Sequence, residues 1–133
     1  AEVMVTLRSF EEDDMERMVA ESEMAVEKIA NEEDLELAIA YTEIFPATEN
    51  DKSCVEILEK TAQNNNLNIT RLKEPFRWSE DFGYYTKDIK AGFFGLGSGE
   101  NQSALHNPDY DFPDEILNYG IEMFYGVYSR LLK

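Results

Sequence analysis

The chain has one cysteine, Cys54, in 133 residues, so it has no internal disulfide. A single cysteine within a helical pattern ordinarily serves as a small core residue, and the count suits a reducing, cytoplasmic location. Histidine is equally scarce, His106 being the only one. One imidazole does not hold a zinc ion, which takes about three or four protein ligands. Any further ligands would come from acids here or from elsewhere. Basic residues are few, 12 against 28 acidic, for a formal net charge of −16. That balance repels nucleic-acid phosphates and anionic membranes. It reads most simply as a solvated acidic surface, with cationic ligands or metals as the alternative. No run is long and apolar enough to span a bilayer, and no stretch reads as a signal peptide. Also missing are a phosphate-binding loop, a nucleophile elbow, paired metal-binding cysteines and a basic aromatic patch.

What is present is core material: 43% of residues are hydrophobic and 12% aromatic, as in a folded globular chain. Val3, Val5 and Leu7 alternate with Met4, Thr6 and Arg8, which predicts a strand over 3–10. Ser9 and Glu12 have capping-box spacing before a helix, and Glu11, Asp13 and Asp14 suit its positive end. Met15, Met18, Val19, Ala25, Val26 and Ile29 share one helical face, and the helix should end near Asn31. Leu35, Leu37, Ile39 and Tyr41 alternate again, giving a second strand to about Phe45, broken by Pro46.

A second unit follows. Asn50 or Asp51 can cap a helix carrying Val55, Leu58 and Ala62, ended by Asn64, Asn65 and Asn66. Leu67–Arg71 reads as a short strand, and Ser79 can cap a short helix with Phe82 and Tyr85. Phe93, Phe94 and Leu96, between Gly92 and Gly97, read as a buried strand. A polar loop over 98–113 precedes a last helix, capped by Asp114, with an apolar stripe from Ile116 to Leu131. The alternation predicts an α/β fold, divided into residues 1–46 and 47–133. A start within a strand suggests a piece of a longer protein.

Candidate chemistry is thin. His106 lies in the long loop after a strand, where ligands gather in open α/β sheets, although a surface or hydrogen-bonding histidine fits as well. Glu80 and Asp81 place two carboxylates in the first turn of a short helix, either as charge for its dipole or as a positioned acid. Gly97 and Gly99 suit close approach of a ligand to the backbone, or a plain turn.

Several segments, taken in order, resemble one family. They are Ser79-Glu80-Asp81-Phe82-Gly83-Tyr84, Gly92-Phe93-Phe94-Gly95-Leu96-Gly97-Ser98-Gly99, Leu105-His106-Asn107-Pro108-Asp109-Tyr110-Asp111-Phe112 and Asp114-Glu115-Ile116-Leu117-Asn118-Tyr119-Gly120. Their order and spacing are similar to those of metal-dependent amidohydrolases of the aminoacylase, hippurate hydrolase and carboxypeptidase G-like family. Thr6-Leu7-Arg8-Ser9-Phe10 resembles a strand of that family's dimerising lid, and Phe45–Asp51 the crossing back to its catalytic domain. Val5 departs from the family's usual glycine, and Arg77-Trp78 from its small residues.

The resemblance implies that residues 1–46 are part of a βαβ lid. Residues 47–133 would then be the C-terminal portion of a zinc-peptidase-like α/β catalytic domain. It implies two adjacent divalent metals (zinc, or manganese, nickel or cobalt) with His106 as one ligand, and a metal-activated water attacking an amide of an N-acyl amino acid or small peptide. The general base and remaining ligands would lie in a missing N-terminal half. Glu80, Gly97 and Gly99 would stand on the substrate side, and two copies would pair through the lid. A different class of reading is a stand-alone acidic α/β interaction module without catalysis.

Overall fold

The computed structural model describes residues 1–78 and 80–132. Among them are four helices, α1 (Glu12–Glu32), α2 (Lys52–Asn64), α3 (Gly83–Asp88) and α4 (Ile116–Leu131). Three of them, α1, α2 and α4, fall where the apolar periodicity predicts, while α3 begins at Gly83 and leaves out Phe82, which was expected within it. The chain divides into two compact units, Ala1–Thr48 with Leu72–Asp88, and Glu49–Arg71 with the residues from Ile89 onward. Residues 72–88 thus join the first unit, whereas the sequence pattern groups them with the second.

The four expected strands do not form among the described residues. Residues 3–10, 35–45, 67–71 and 92–97 gain no ladder partner. Alternation selects a strand only where a neighbouring strand takes its hydrogen bonds and a core takes one face. Val3 and Val5 remain 84% and 71% exposed, so neither condition is met at the N-terminus.

In the first unit, α1 begins at Glu12 without the predicted capping box. Its N-cap is Glu11, with no side-chain cap bond. Glu12 instead turns outward: its Oε1 accepts from Lys87 Nζ on α3 and from the Ala47 backbone N–H at 3.3 Å. Gly83, at the start of α3, lies so close to Pro46 that a Cβ there would come 2.4 Å from the Pro46 carbonyl oxygen. Phe76 and Trp78 stack at 4.1 Å between ring centroids. Only part of the α1 stripe is covered. Met15, Met18 and Val19 are half-buried, while Val26 and Ile29 are exposed.

In the second unit, α2 packs on α4. The seam is made by Thr61, which is 1% exposed, with Ala62, Met123 and Gly126. Asn65 donates to the Glu122 carbonyl at 3.3 Å and Arg130 to the Lys60 carbonyl at 3.1 Å, lacing the two helices on either side. Asp51 is the α2 cap, accepting from the backbone N–H groups of Ser53 at 2.8 Å and Cys54 at 3.2 Å. At the other end Asn66 takes a left-handed conformation (φ 55°). The Leu67 N–H reaches the Ala62 carbonyl at 2.9 Å and the Asn66 N–H that of Gln63 at 3.1 Å, a Schellman termination with asparagine in the usual glycine place. Asn50 grips the expected strand at Phe93, donating to its carbonyl at 2.9 Å and accepting from its N–H at 2.6 Å. A side-chain amide here does what a strand partner would do.

The stripe predicted for α4 largely faces away from α2. The helix is apolar most of the way round, and it buries the side carrying Met123 and Gly126. Ile121 and Phe124 are left 63% and 70% exposed. An open groove of about 580 Å³ runs along this face, walled by Leu96, Phe112, Ile116, Gly120, Phe124 and Tyr128. The Asp114 side chain is not the α4 cap. Glu115 holds that position without a side-chain cap bond.

Candidate functional site

The sequence-selected residues fall in both units. Glu80 belongs to the first unit; Gly97, Gly99 and His106 belong to one continuous stretch of the second. Ser79, expected as the cap of α3, lies outside the described residues. Among the described residues, backbone bonds make the turn into α3. The Glu80 carbonyl accepts from Gly83 at 3.4 Å and the Asp81 carbonyl from Tyr84 at 3.0 Å, and the Glu80 side chain is exposed. Gly97 and Gly99 both look onto open space where a side chain would be, and Gly99 adopts φ 113°, a conformation that favours glycine.

His106 sits in an exposed loop that is tied together between Gln102 and Asp111. The Gln102 side chain donates to the Asp111 carbonyl. Ser103 Oγ donates to Asp109 Oδ2 at 2.8 Å. Inside these, the Asn107 N–H bonds the Ala104 carbonyl and the Tyr110 N–H the Asn107 carbonyl, each at 3.0 Å. His106 lies between the two ends of this bracket with φ 71°. A non-glycine residue in that region costs on the order of 1–2 kcal/mol, so the bracketing bonds hold the histidine in a conformation it would not choose. Sequence reasoning selected His106 and missed Gln102, Ser103 and Asp109. Side-chain closure of a loop has no periodic signature, and the only available cue was the density of short polar residues.

Among the described residues, no group of three or more histidine, cysteine, aspartate or glutamate side chains is arranged to hold a metal ion. The donor set here does not make a metal site by itself. His106 offers one imidazole to a site that other residues would have to complete. Elsewhere the electrostatics are those of local ties. Lys87 hydrogen-bonds Glu12 and lowers its carboxyl pKa, Arg71 does the same to Glu59 from 2.6 Å, and Ser53 lowers that of Asp51. Glu23 accepts from the Tyr41 hydroxyl and raises its pKa. No helix among the described residues is long and apolar enough to cross a membrane.

Residues 4–130 match peptidase family M20/M25/M40, and the chain belongs to that family. Membership implies the α/β peptidase-like fold of the family, although no strand forms among the described residues. Among curated relatives, an uncharacterized hydrolase of Staphylococcus epidermidis is 22% identical over 117 residues, covering 84% of this chain and 30% of its own length. A Bacillus subtilis protein named amidohydrolase YhaA is 27% identical, with the same coverage. The hippurate hydrolase of Campylobacter jejuni is 28% identical over 107 residues, covering 79% of this chain and 28% of its own length. The chain thus spans about three-tenths of the relatives it matches. No solved structure matches it significantly.

Proposed function

We propose that the protein to which these residues belong is a metal-dependent amidohydrolase. It would cleave the amide bond of an N-acyl amino acid or small peptide in the cytoplasm. The observation that carries this reading is the family match over 4–130, with the sole histidine held at the tip of a bracketed loop. His106 would be one ligand of a pair of divalent ions, zinc first, with manganese, nickel or cobalt as alternatives. Such ions supply the electrostatic activation of water that amide hydrolysis at neutral pH needs. The general base and the other ligands would come from the remainder of the protein. Glu80, Gly97 and Gly99 would stand on the substrate side, the glycines offering bare backbone.

The remainder of the protein would also cover the apolar face of α4 and pair with the open extended segments. Apolar patches beyond a few hundred Å² seldom stay exposed on a monomer. Residues 1–46 would take part in a homodimer contact. The test is His106→Ala in the complete protein, assayed for bound metal and for hydrolysis of an N-acyl amino acid such as hippurate. Loss of most activity, about a hundredfold or more, together with reduced metal content is expected. Wild-type rates and metal content would overturn the assignment. The 133-residue chain alone should be inert, since it supplies one donor and no identified base. Robust hydrolysis by it would do equal damage.

A further inference from the structure

We propose that the stacked pair Phe76 and Trp78 is a binding platform for a planar aromatic group, the aromatic acyl part of an N-acyl amino acid. The inference rests on the amidohydrolase reading for the identity of this ligand, and gives that reading a substrate preference. It calls on no metal ion.

The ring centroids of Phe76 and Trp78 lie 4.1 Å apart, with planes inclined by 14°. Two rings so arranged cover one face of each other. Phe76 nevertheless remains 37% exposed and Trp78 49%, so the pair is a surface feature and not part of a core. Aromatic groups favour a further offset or tilted ring as a neighbour. The pair is also ordered in advance. Arg77 lies between the two rings, and its carbonyl accepts from Arg8 Nη1 at 3.2 Å. A remote side chain that holds the backbone between two rings lowers the ordering cost that a ligand would otherwise meet.

Three further facts bear on what the platform takes. Trp78 stands two residues before Glu80, within about 7 Å of it along the backbone, and Glu80 opens the segment read as facing the substrate. Where Arg77 and Trp78 stand, the family resembled by this sequence has small residues, whereas this chain places its only tryptophan there. A small residue offers no ring face, so the departure changes what this surface can hold. The charge agrees. Over 72–78, Lys73 and Arg77 outnumber Glu74, and Arg8 adds a further cation, in a chain at −16. An N-acyl amino acid carries a carboxylate, which such a stretch attracts and most of the remaining surface repels.

N-benzoylglycine and N-acetylglycine share the amide and the carboxylate and differ in phenyl against methyl. Their binding to the complete, metal-stripped protein would be compared by calorimetric titration. A second reading would be kcat/KM of the metal-loaded protein for the same pair. Trp78→Ala is expected to weaken N-benzoylglycine about two- to tenfold and to leave N-acetylglycine unchanged. Phe76→Ala should act in the same direction, and Trp78→Phe, which keeps a ring, should retain most of the preference. Should Trp78→Ala fail to fold, Trp78→Leu keeps apolar bulk without a stacking face and carries the same expectation. A wild-type protein with no preference for the benzoyl compound would overturn the proposal. So would equal losses for both compounds, which would mark the stack as cover for its own loop. The two levels separate cleanly. If the complete protein hydrolyses neither compound while Trp78→Ala selectively loses N-benzoylglycine binding, the amidohydrolase reading fails and the platform stands. If it hydrolyses both, and Trp78→Ala leaves their ratio unchanged, the platform alone fails.

Discussion

The two units are held together in different ways. In the second, two helices meet over apolar and small residues, with Thr61 sealed between them, and α2 is capped at both ends. In the first, long-range ties are mostly polar: Glu12 with Lys87 and Ala47, Arg8 Nη1 donating to the Arg77 carbonyl at 3.2 Å, and the Tyr84 hydroxyl donating to the Ile44 carbonyl. Exposed ion pairs and hydrogen bonds contribute little each and respond to salt and pH. A helix seam responds to shape. Each unit should therefore fail under a different insult.

The largest expected effects test shape in both. Gly83→Ala would set a Cβ 2.4 Å from the Pro46 carbonyl oxygen and 3.1 Å from its Cγ. Backbone cannot step aside as a side chain can, so a cost of about 2–3 kcal/mol is expected. Gly126→Ala meets mainly the Thr61 Cγ2 methyl, at 2.5 Å, and regains about 1 kcal/mol of helix propensity. A net loss of about 1–2 kcal/mol is expected there. Denaturant unfolding with amide exchange resolved along α3, α2 and α4 would measure both. A costless Gly83→Ala would mean that the contact with Pro46 does not organise the first unit.

Next in size is the contrast between caps. Asp51→Ala should cost about 1 kcal/mol, because two backbone N–H groups lose their acceptor. Glu11→Ala should change stability by a few tenths at most, since Glu11 makes no side-chain cap bond. Equal effects at the two positions would erase the distinction drawn between the helices.

How much of this was legible beforehand depends on where the information resides. The helices were, because period 3.6 is local, and Asp51 and the run Asn64–Asn66 signalled both ends of α2. The strands were read from alternation that is truly present, but a strand is a property of a pair, and no such pair forms among the described residues. The capping box at Ser9 failed for a related reason: Glu12 had a stronger partner in Lys87, 75 residues away. On α4 the apolar stripe was so wide that periodicity could not say which side would meet α2. The small residue Gly126 decided it. Of the candidate site, the histidine was visible as an isolated residue in a resemblance, while its bracket of Gln102, Ser103, Asp109 and Asp111 depends on three-dimensional closure.

Acid should sharpen the comparison further. The carboxyls of Glu12, Glu59 and Asp51 are lowered, chiefly by hydrogen bonds from Lys87, Arg71 and Ser53. A carboxylate whose folded pKa is depressed stabilises the fold fully above its unfolded value. It loses that contribution as pH falls through the lowered one. The loss should therefore begin below about pH 4–5. Stability is thus expected to hold level above that window and to fall on acidification through it. Lys87→Met isolates the tie: destabilising at pH 7 and neutral at pH 3 in thermal unfolding. The same penalty at both values would show that the Lys87 stem matters through packing and not through Glu12.

The smallest effect concerns the two helix ends that share one solution. Asp34 follows α1 at φ 53°, as Asn66 follows α2 at φ 55°, and the Leu35 N–H returns to the Ala30 carbonyl at 2.8 Å just as Leu67 returns to Ala62. Both ends thus place an acidic or amide residue where glycine is least strained. Asn66→Gly exchanges a small conformational cost for greater freedom of the unfolded chain, two terms of a few tenths to about 1 kcal/mol that oppose each other. Its net effect should lie within about 0.5 kcal/mol of zero. Asp34→Gly should gain slightly more, because it also removes a negative charge from the negative end of α1. Alanine at either place has the strain and no compensation, and should cost about 1 kcal/mol. Glycine and alanine variants of equal stability at Asn66 would mean that the left-handed residue does not terminate α2, and that Leu67 and Ala62 meet for some other reason.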